Sequence, residues 1–182
     1  AQFTEATIVG ITGSNGKTTT TLLTHHILKN AGINVGVAGN IGLSFAQQVV
    51  EENYENYVLE ISSFQLDGVE EFNSHIAILT NITPDHLDRY DYDFNKYIAS
   101  KFRITKNQKS TDYLIYDADD KAINNWLKNN STKANLVPFS IEKELEFGAY
   151  LKDNNIIINT NKDKLIMPLS TLSVKGKHNT KN

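Results

Sequence analysis

A short glycine-containing loop near the N-terminus holds the residues best suited to chemistry. Residues 12–20 read TGSNGKTTT, so Lys17 and Thr18 follow directly on Gly16. Glycines let successive backbone N–H groups turn towards one anion, and the start of a helix adds its positive dipole end. Lys17 supplies a positive charge, and the Thr18 hydroxyl is a magnesium ligand in loops of this kind. The pattern predicts a site for a nucleoside triphosphate.

The spacing of this loop departs from the usual pattern G-x-x-x-x-G-K-[ST]. Ile11 occupies the position of the first glycine, and the extra glycine, Gly13, comes two residues later. The alternative interpretation is a tight strand-to-helix turn with Lys17 in solvent. The flanking segments favour the phosphate loop, because a β-branched run precedes it and apolar residues recur at helical spacing after it.

A single carboxylate interrupts a strongly apolar segment further along the chain. Residues 57–62 read YVLEIS, which is typical of a buried parallel strand, and Glu60 lies near its C-terminal end. A buried carboxylate is costly unless a cation or hydrogen-bond donors compensate it. Ligands of open α/β sheets lie beyond the carboxyl ends of the strands, so we expect Glu60 beside the phosphate loop. The alternative is a carboxylate that caps a neighbouring helix.

A polar loop follows the next apolar segment, residues 75–80. It reads NITPDHLDRY and places His86 between Asp85 and Asp88. If residues 75–80 form a parallel strand, this loop reaches the same sheet edge as the phosphate loop. On residue type alone, His86 is as readily a solvated or structural histidine as a functional one.

A lysine lies on the apolar face of the helix predicted over residues 94–105. Phe94, Tyr97, Ile98 and Lys101 follow the i, i+3, i+4, i+7 spacing of one helix face. One interpretation is that the stem packs and the ammonium reaches water. The other is that burial lowers the pKa of the amine, which then captures carbon dioxide and becomes a carbamate, an anionic oxygen ligand.

The elements that position these residues alternate between strand and helix. Strands are predicted at residues 34–38, 57–62, 75–80, 113–116 and 136–139, with helices at 43–52, 94–105 and 119–129. From residue 149 onward, short apolar runs separated by turns predict a small antiparallel meander. The fold class is therefore α/β: a doubly wound, mostly parallel sheet with a P-loop, plus a small antiparallel β extension near the C-terminal end.

Composition narrows the range of functions. The chain has 182 residues, 40% hydrophobic residues, no cysteine and a net charge of −3, which excludes a disulfide scaffold and gives no electrostatic footprint for nucleic acid. It has no apolar run long enough to span a bilayer and no signal-peptide pattern. We expect a cytoplasmic monomer that binds neither nucleic acid nor membrane.

Six segments, taken in order, resemble the Mur ligases of peptidoglycan synthesis: TGSNGKTTT, GNIG, LEISSFQL, NITPDHLDRY, SKFRI and GKHNTKN. LEISSFQL and DHLDRY favour the D-glutamate-adding member. The resemblance implies that residues 1–182 are the central ATP-binding domain of a longer protein, with flanking domains on both sides. It also implies a reaction in which ATP phosphorylates the carboxylate of UDP-N-acetylmuramoyl-L-alanine, and the amine of D-glutamate then attacks the acyl phosphate.

The resemblance also assigns roles to individual residues. It places the ATP contacts on Gly13, Ser14, Asn15, Gly16, Lys17, Thr18, Thr19, Asn179 and Asn182. It places the substrate contacts on Asn40, Ser62, Gln65 and His86. It places the magnesium ligands on Thr18, Glu60, His86 and Lys101 as a carbamate. It places the catalytic roles on Lys17, Glu60, His86 and Lys101. The residues alone leave local loop capping open for Asn40, Ser62 and Gln65.

Three rival functions remain at this point. The first is another Mur-type or folylpolyglutamate-type amide ligase, and the second is a P-loop kinase or hydrolase without an amide-forming step. The third is a nucleotide-binding module without turnover. We expect this chain to fold by itself with both sheet faces covered, to supply the ATP and magnesium site, and to be inactive as an isolated domain.

Overall fold

The computed structural model describes residues 4–172 and 176–181, which form one α/β unit around a single sheet. In chain order the strands are β1 (Thr7–Thr12), β2 (Val35–Gly39), β3 (Asn56–Glu60), β4 (Ile76–Leu79), β5 (Tyr113–Asp117), β6 (Asn135–Ser140), β7 (Gly148–Lys152), β8 (Asn155–Asn159) and β9 (Lys164–Pro168). The α-helices are α1 (Lys17–Asn30), α2 (Phe45–Glu51), α3 (Ser63–Asp67), α4 (Phe94–Phe102), α5 (Lys121–Asn129) and α6 (Lys177–Lys181). Short 3₁₀ helices lie at Leu87–Tyr90, Arg103–Thr105 and Leu169–Thr171.

The sheet has the strand order β2-β3-β1-β4-β5-β6-β7-β8-β9. The pairs from β2 to β7 are parallel, and β7, β8 and β9 pair antiparallel. β1 lies between β3 and β4, with Ile11 opposite Glu60 and Thr12 opposite Leu79. The carboxyl ends of these three strands therefore meet at one edge. The predicted fold class is confirmed.

The predicted antiparallel extension continues the main sheet. Phe139 of β6 pairs in parallel with Ala149 of β7, which joins the meander to the sheet. The short β-strands after residue 149 were predicted from turns and apolar runs, signals that say nothing about which existing strand the first of them joins.

The core has two parts because successive strand side chains point to opposite faces of the sheet. On one face Val9, Ile11, Val35 and Val58 form a small cluster against Leu28 of α1. On the other face a larger cluster, which includes Tyr57, Leu79, Leu114 and Ile123, packs with side chains from α2 to α5. α1 thus lies on one side of the sheet, and α2, α3, α4 and α5 lie on the other.

The two faces are covered unequally. Beside α1, over β4 to β8, the structure has an apolar cavity of about 300 Å³, lined among others by Ile78, Ile115 and Phe139. The face that carries the larger core cluster is covered as expected, whereas the α1 face is covered by helix mainly over β1, β2 and β3. Among the described residues, no helix is both long and apolar enough to cross a membrane.

A short helix that sequence patterns did not predict follows β3 directly. Ser62 and Gln65 form a capping box: the Ser62 hydroxyl accepts from the Gln65 N–H, and the Gln65 side chain accepts from the Ser62 N–H at 2.9 Å. α3 has five residues, too few for a helical period to be recognised. Its start fixes the direction in which the chain leaves Glu60.

Gly39 lets β2 end against the carbonyl group of Glu60. Its φ is +105°, and a Cβ there would overlap the Glu60 carbonyl oxygen. We expect Gly39→Ala to lower the free energy of unfolding by roughly 2–4 kcal/mol, since it adds both backbone strain and a clash. Gly32→Ala is the matched control, because Gly32 has φ +78° with no atom within 4 Å of the added Cβ. Urea unfolding of both variants measures the difference, and equal losses would contradict this explanation.

Candidate active site

The predicted phosphate loop connects the end of β1 to the start of α1. Gly16 is the N-cap of α1 in a left-handed conformation, φ +82°, and no side chain caps the helix. The N–H groups of the first helical turn therefore point into the loop without a side-chain acceptor, which is the arrangement that binds phosphate. The Lys17 ammonium folds back over the loop and donates to the carbonyl oxygens of Gly13 and Ser14 at 3.0 and 2.9 Å.

Glu60 lies at the end of β3, buried and directly beside the loop. One carboxylate oxygen accepts a hydrogen bond from the Thr18 hydroxyl at 2.7 Å, and the other accepts from the Asn40 side-chain amide at 3.0 Å. The Asn40 N–H also donates to the Glu60 carbonyl oxygen at 2.8 Å. The structure therefore brings together three predicted site residues from β3, α1 and the turn after β2.

The oxygen pair of Thr18 and Glu60 fits a magnesium ion. Mg²⁺ prefers oxygen ligands and keeps several waters, so one carboxylate and one hydroxyl are sufficient when substrate phosphates supply the rest. Within the described ranges, no cluster of three or more His, Cys, Asp or Glu residues could form an all-protein metal cage. The donor set is the one expected for a metal that binds together with a nucleotide.

Lys101 extends from α4 into the protein beneath the phosphate loop. Its side chain is 1% exposed, and its Nζ donates to the Gly13 carbonyl oxygen at 2.8 Å, with a longer contact of 3.4 Å to the Thr12 hydroxyl. Burial, followed by the nearby Lys17 charge, lowers the pKa of Lys101 from 10.5 to about 7. The amine is thus turned away from water and is substantially neutral near neutral pH, a form that is nucleophilic.

The lowered pKa of Lys101 predicts a pH-dependent stability. The pKa is 10.5 for an ordinary lysine and about 7 in the folded chain. Between these values the unfolded chain binds more protons, so the contribution of Lys101 to the free energy of unfolding rises with pH above about 7. We expect the stability advantage of Lys101→Met over the wild type to shrink by a few kcal/mol between about pH 7 and about pH 10. Urea unfolding in metal-free, CO₂-depleted buffer tests this, and a pH-independent difference would refute it.

His86 lies on the exposed side of the site. Its backbone is left-handed, with φ +49°, and its ring packs edge-to-face on Phe64 at a centroid distance of 5.2 Å. Its Nε2 is 3.5 Å from a carboxylate oxygen of Asp85. The guanidinium of Arg89 lies 4.1 Å above the same Phe64 ring. The contacts described for His86 are thus with Phe64 and Asp85, while Glu60 and Lys101 contact the phosphate loop.

Two of the remaining predicted residues have a local capping role, and a third lies in the cavity beside the first turns of α1. Ser62 and Gln65 use their side chains in the capping box of α3, the local role that the sequence left open. Asn179 on α6 lines the apolar cavity beside α1. Lys181 holds α6 to the carboxyl end of β5 through Asp117, at 2.8 Å. Asn182 lies outside the described residues.

Several residues that contact the phosphate loop were not predicted from the sequence. The Tyr97 hydroxyl and the Ser14 hydroxyl hydrogen bond at 3.0 Å, joining α4 to the phosphate loop across 83 residues. Asn81 pairs with the loop backbone at Asn15. Asn81 had a sequence signal, since it is the first polar residue after a strand predicted to end at this edge. The Tyr97 contact had none, because its position matched an ordinary core residue of α4.

A glycine-containing loop that leads into an uncapped helix start, beside a buried carboxylate at the carboxyl edge of a doubly wound sheet, is the arrangement of P-loop domains. Comparison with known proteins specifies the family. The chain belongs to the Mur ligase middle domain family, whose model matches residues 11–182. The resemblance inferred from the sequence motifs is confirmed.

Individual relatives agree with this assignment. The chain is 59% identical over 180 residues to a UDP-N-acetylmuramoylalanine--D-glutamate ligase of Christiangramia forsetii. The aligned residues cover 99% of this chain and 40% of that protein. The solved structure of a UDP-N-acetylmuramoyl-L-alanyl-D-glutamate--2,6-diaminopimelate ligase matches with a TM-score of 0.75 at 18% identity, over 98% of this chain and 41% of the other. A MurF ligase from Thermotoga maritima in complex with ADP matches with a TM-score of 0.61 at 20% identity, over 88% of this chain and 40% of the other. The two structural matches support the fold.

Proposed function

We propose that this chain supplies the ATP and magnesium site of a longer amide ligase that adds D-glutamate to UDP-N-acetylmuramoyl-L-alanine. The observation that carries the proposal is the convergence of Lys17, Thr18 and Glu60 at the carboxyl edge of the sheet. The relative that is 59% identical is named for this reaction, and the chain spans 40% of its length. We therefore assign the activity to the whole protein. Because the reaction consumes ATP, we place the enzyme in the cytoplasm. We also propose that its active form is a monomer.

The residues suit phosphoryl transfer to a carboxylate. In the first step a carboxylate oxygen of UDP-N-acetylmuramoyl-L-alanine attacks the γ-phosphorus of ATP, and ADP leaves. In the second step the amine of D-glutamate attacks the acyl carbon, phosphate leaves, and the amine loses a proton. Such transfer depends mainly on positioning and charge neutralisation. The start of α1 and Lys17 would hold the phosphates, with Asn40 and His86 towards the substrate.

Thr18 and Glu60 would hold the magnesium ion, with which the 2.7 Å oxygen pair is compatible. The ion supplies neutralisation of phosphate charge. Asn179 lines the apolar cavity beside α1, which supports this cavity as the seat of the adenine ring, with Asn182 as the second adenine contact. The cavity lies along the same helix that begins at the phosphate loop.

Lys101 would act as a carbamate and would hold a second magnesium ion together with His86. Its buried amine, with a pKa lowered to about 7, meets the first requirement for capturing carbon dioxide. A carbamate keeps one N–H, which can still donate to the Gly13 carbonyl oxygen. It also places a negative charge next to Lys17.

An assay with the full-length enzyme tests the proposal. We expect steady-state ADP release over many turnovers to require both UDP-N-acetylmuramoyl-L-alanine and D-glutamate, and a panel of other amino acids to give little product. Preference for another amino acid would favour a different Mur-type or folylpolyglutamate-type ligase. Sustained ADP release over many turnovers without any amino acid would favour a simple hydrolase. ADP binding by the full-length protein without turnover on any substrate would leave only a nucleotide-binding module.

A further inference from the structure

The side chain of Asn81 pairs with the phosphate loop through both of its polar atoms. Its Oδ1 accepts from the Asn15 N–H at 3.0 Å, and its Nδ2 donates to the Asn15 carbonyl oxygen at 2.9 Å. Its own carbonyl oxygen accepts from the Ser14 N–H at 2.9 Å. One residue at the end of β4 therefore makes three hydrogen bonds to two successive residues of the loop.

The residues next to Asn81 extend this contact. The Thr80 hydroxyl donates to the Asn15 carbonyl oxygen at 2.7 Å, and the Asn15 side chain donates to the Thr83 hydroxyl at 3.3 Å. Gly13 lies so close that a Cβ there would overlap the Thr80 hydroxyl oxygen. The first half of the phosphate loop thus rests on residues 80–83, the same segment that leads to His86.

These bonds divide the loop into a supported half and a half that faces a ligand. The N–H groups of Ser14 and Asn15 are engaged by Asn81, whereas the N–H groups at the start of α1 have no side-chain cap. The donors left for phosphate therefore begin at Gly16 and continue into the helix. The engaged half therefore has a structural task, because its N–H groups bond to Asn81 and are not available to a ligand.

We propose that Asn81 is a positioning residue for nucleotide binding, which holds the phosphate loop in its anion-binding shape and joins it to the segment that carries His86. The inference rests on the proposed function in one respect only, that the loop binds ATP and ADP. A loop held in its bound shape loses less entropy when the nucleotide binds. Without the Asn81 side chain, the Asn15 N–H loses its acceptor and the Asn15 carbonyl oxygen keeps only the Thr80 hydroxyl, so the ligand must order more of the loop.

Asn107 offers a matched control on the same chain. Its side-chain amide donates to the backbone carbonyl oxygens of Glu70 and Phe72 at 2.7 and 2.8 Å, so it also makes two bonds to backbone, but away from the loop. Both asparagines are partly buried. Asn107→Ala therefore measures how much the loss of a side-chain amide with two backbone bonds lowers the stability of the fold, without any change at the phosphate loop.

The experiment measures the Kd of Mg·ADP for the full-length protein by calorimetry, together with its melting temperature. We expect Asn81→Ala to raise the Kd about tenfold or more, and Asn107→Ala to leave it within about twofold while lowering the melting temperature comparably. In the coupled assay, the KM for ATP should rise in Asn81→Ala while the KM for D-glutamate stays within about twofold. Asn81→Asp, which loses the donor to Asn15 and keeps an acceptor, should also weaken ADP binding.

Three results would overturn the inference. The first is a Kd within about twofold of the wild type in Asn81→Ala. The second is an equal weakening in Asn107→Ala. The third is wild-type protein that does not bind Mg·ADP, which would remove the proposed function as well, whereas the first two leave it intact. If Asn81→Ala does not fold, Asn81→Asp decides by the same criterion.

Discussion

Replacement of Lys17 by alanine in the full-length enzyme is expected to lower turnover at saturating ATP by about two to three orders of magnitude. In the structure its ammonium lies over the loop, 3.0 and 2.9 Å from two carbonyl oxygens. The phosphates bring negative charge to this place, and that charge grows on the leaving group during transfer. Without Lys17 it is left unbalanced in the transition state, while the fold keeps its other contacts.

Lys29 provides the control for this prediction. It lies exposed in the last turn of the same helix, so Lys29→Ala changes net charge and helix composition equally without approaching the loop. Steady-state coupling assays and unfolding curves of both variants separate catalysis from stability. Turnover of Lys17→Ala within about tenfold of the wild type would show that the loop does not act as a phosphate site.

Replacement of Lys101 by alanine is expected to remove most activity, by about a hundredfold or more, and added acetate or formate is expected to restore part of it. The side chain reaches the Gly13 carbonyl oxygen from α4, and its removal leaves a buried space at the floor of the site. A small carboxylate can occupy that space and replace the anionic group of a carbamate. It cannot replace an ammonium, so rescue distinguishes the two forms.

A lysine on the same helix controls for charge. Lys96 is exposed and pairs with Asp91, so Lys96→Ala should keep near-normal activity and show no rescue. Labelled bicarbonate should give a carbamate carbon signal in the wild type that Lys101→Ala lacks. Near-normal activity of Lys101→Ala, or the absence of that signal, would leave Lys101 as a buried amine that supports the loop through Gly13.

Local patterns predicted the parts of the site that depend on neighbouring residues. The phosphate loop was visible because a strand, two glycines and a helix are contiguous, and Glu60 was visible because a charge interrupts an apolar strand. In both cases the strand that precedes or carries the residues determines where they lie in the fold. The structure adds their meeting point, the hydrogen bond of Thr18 to Glu60 across 42 residues.

Contacts between distant segments could not be predicted in the same way. The periodicity of α4 placed Lys101 on the apolar face, but its acceptor, Gly13, is 88 residues away. Asn81 and Asn15 are separated by 66 residues, and no spacing rule relates them. Such pairs depend on strand order, since β1 and β4 become neighbours only when the sheet forms. Residues whose partners come from another strand end therefore had to be found in the structure.

The unequal cover of the sheet gives this chain two sides with different behaviour in solution. Apolar side chains, among them the half-buried Ile78, Ile115 and Phe139, line the cavity of about 300 Å³ over β4 to β8. Apolar hydration favours association more strongly as temperature rises, and excluded salts such as sulfate strengthen it further. We therefore expect cold, low-salt buffers to keep the isolated chain dispersed and warm ammonium sulfate to favour its association.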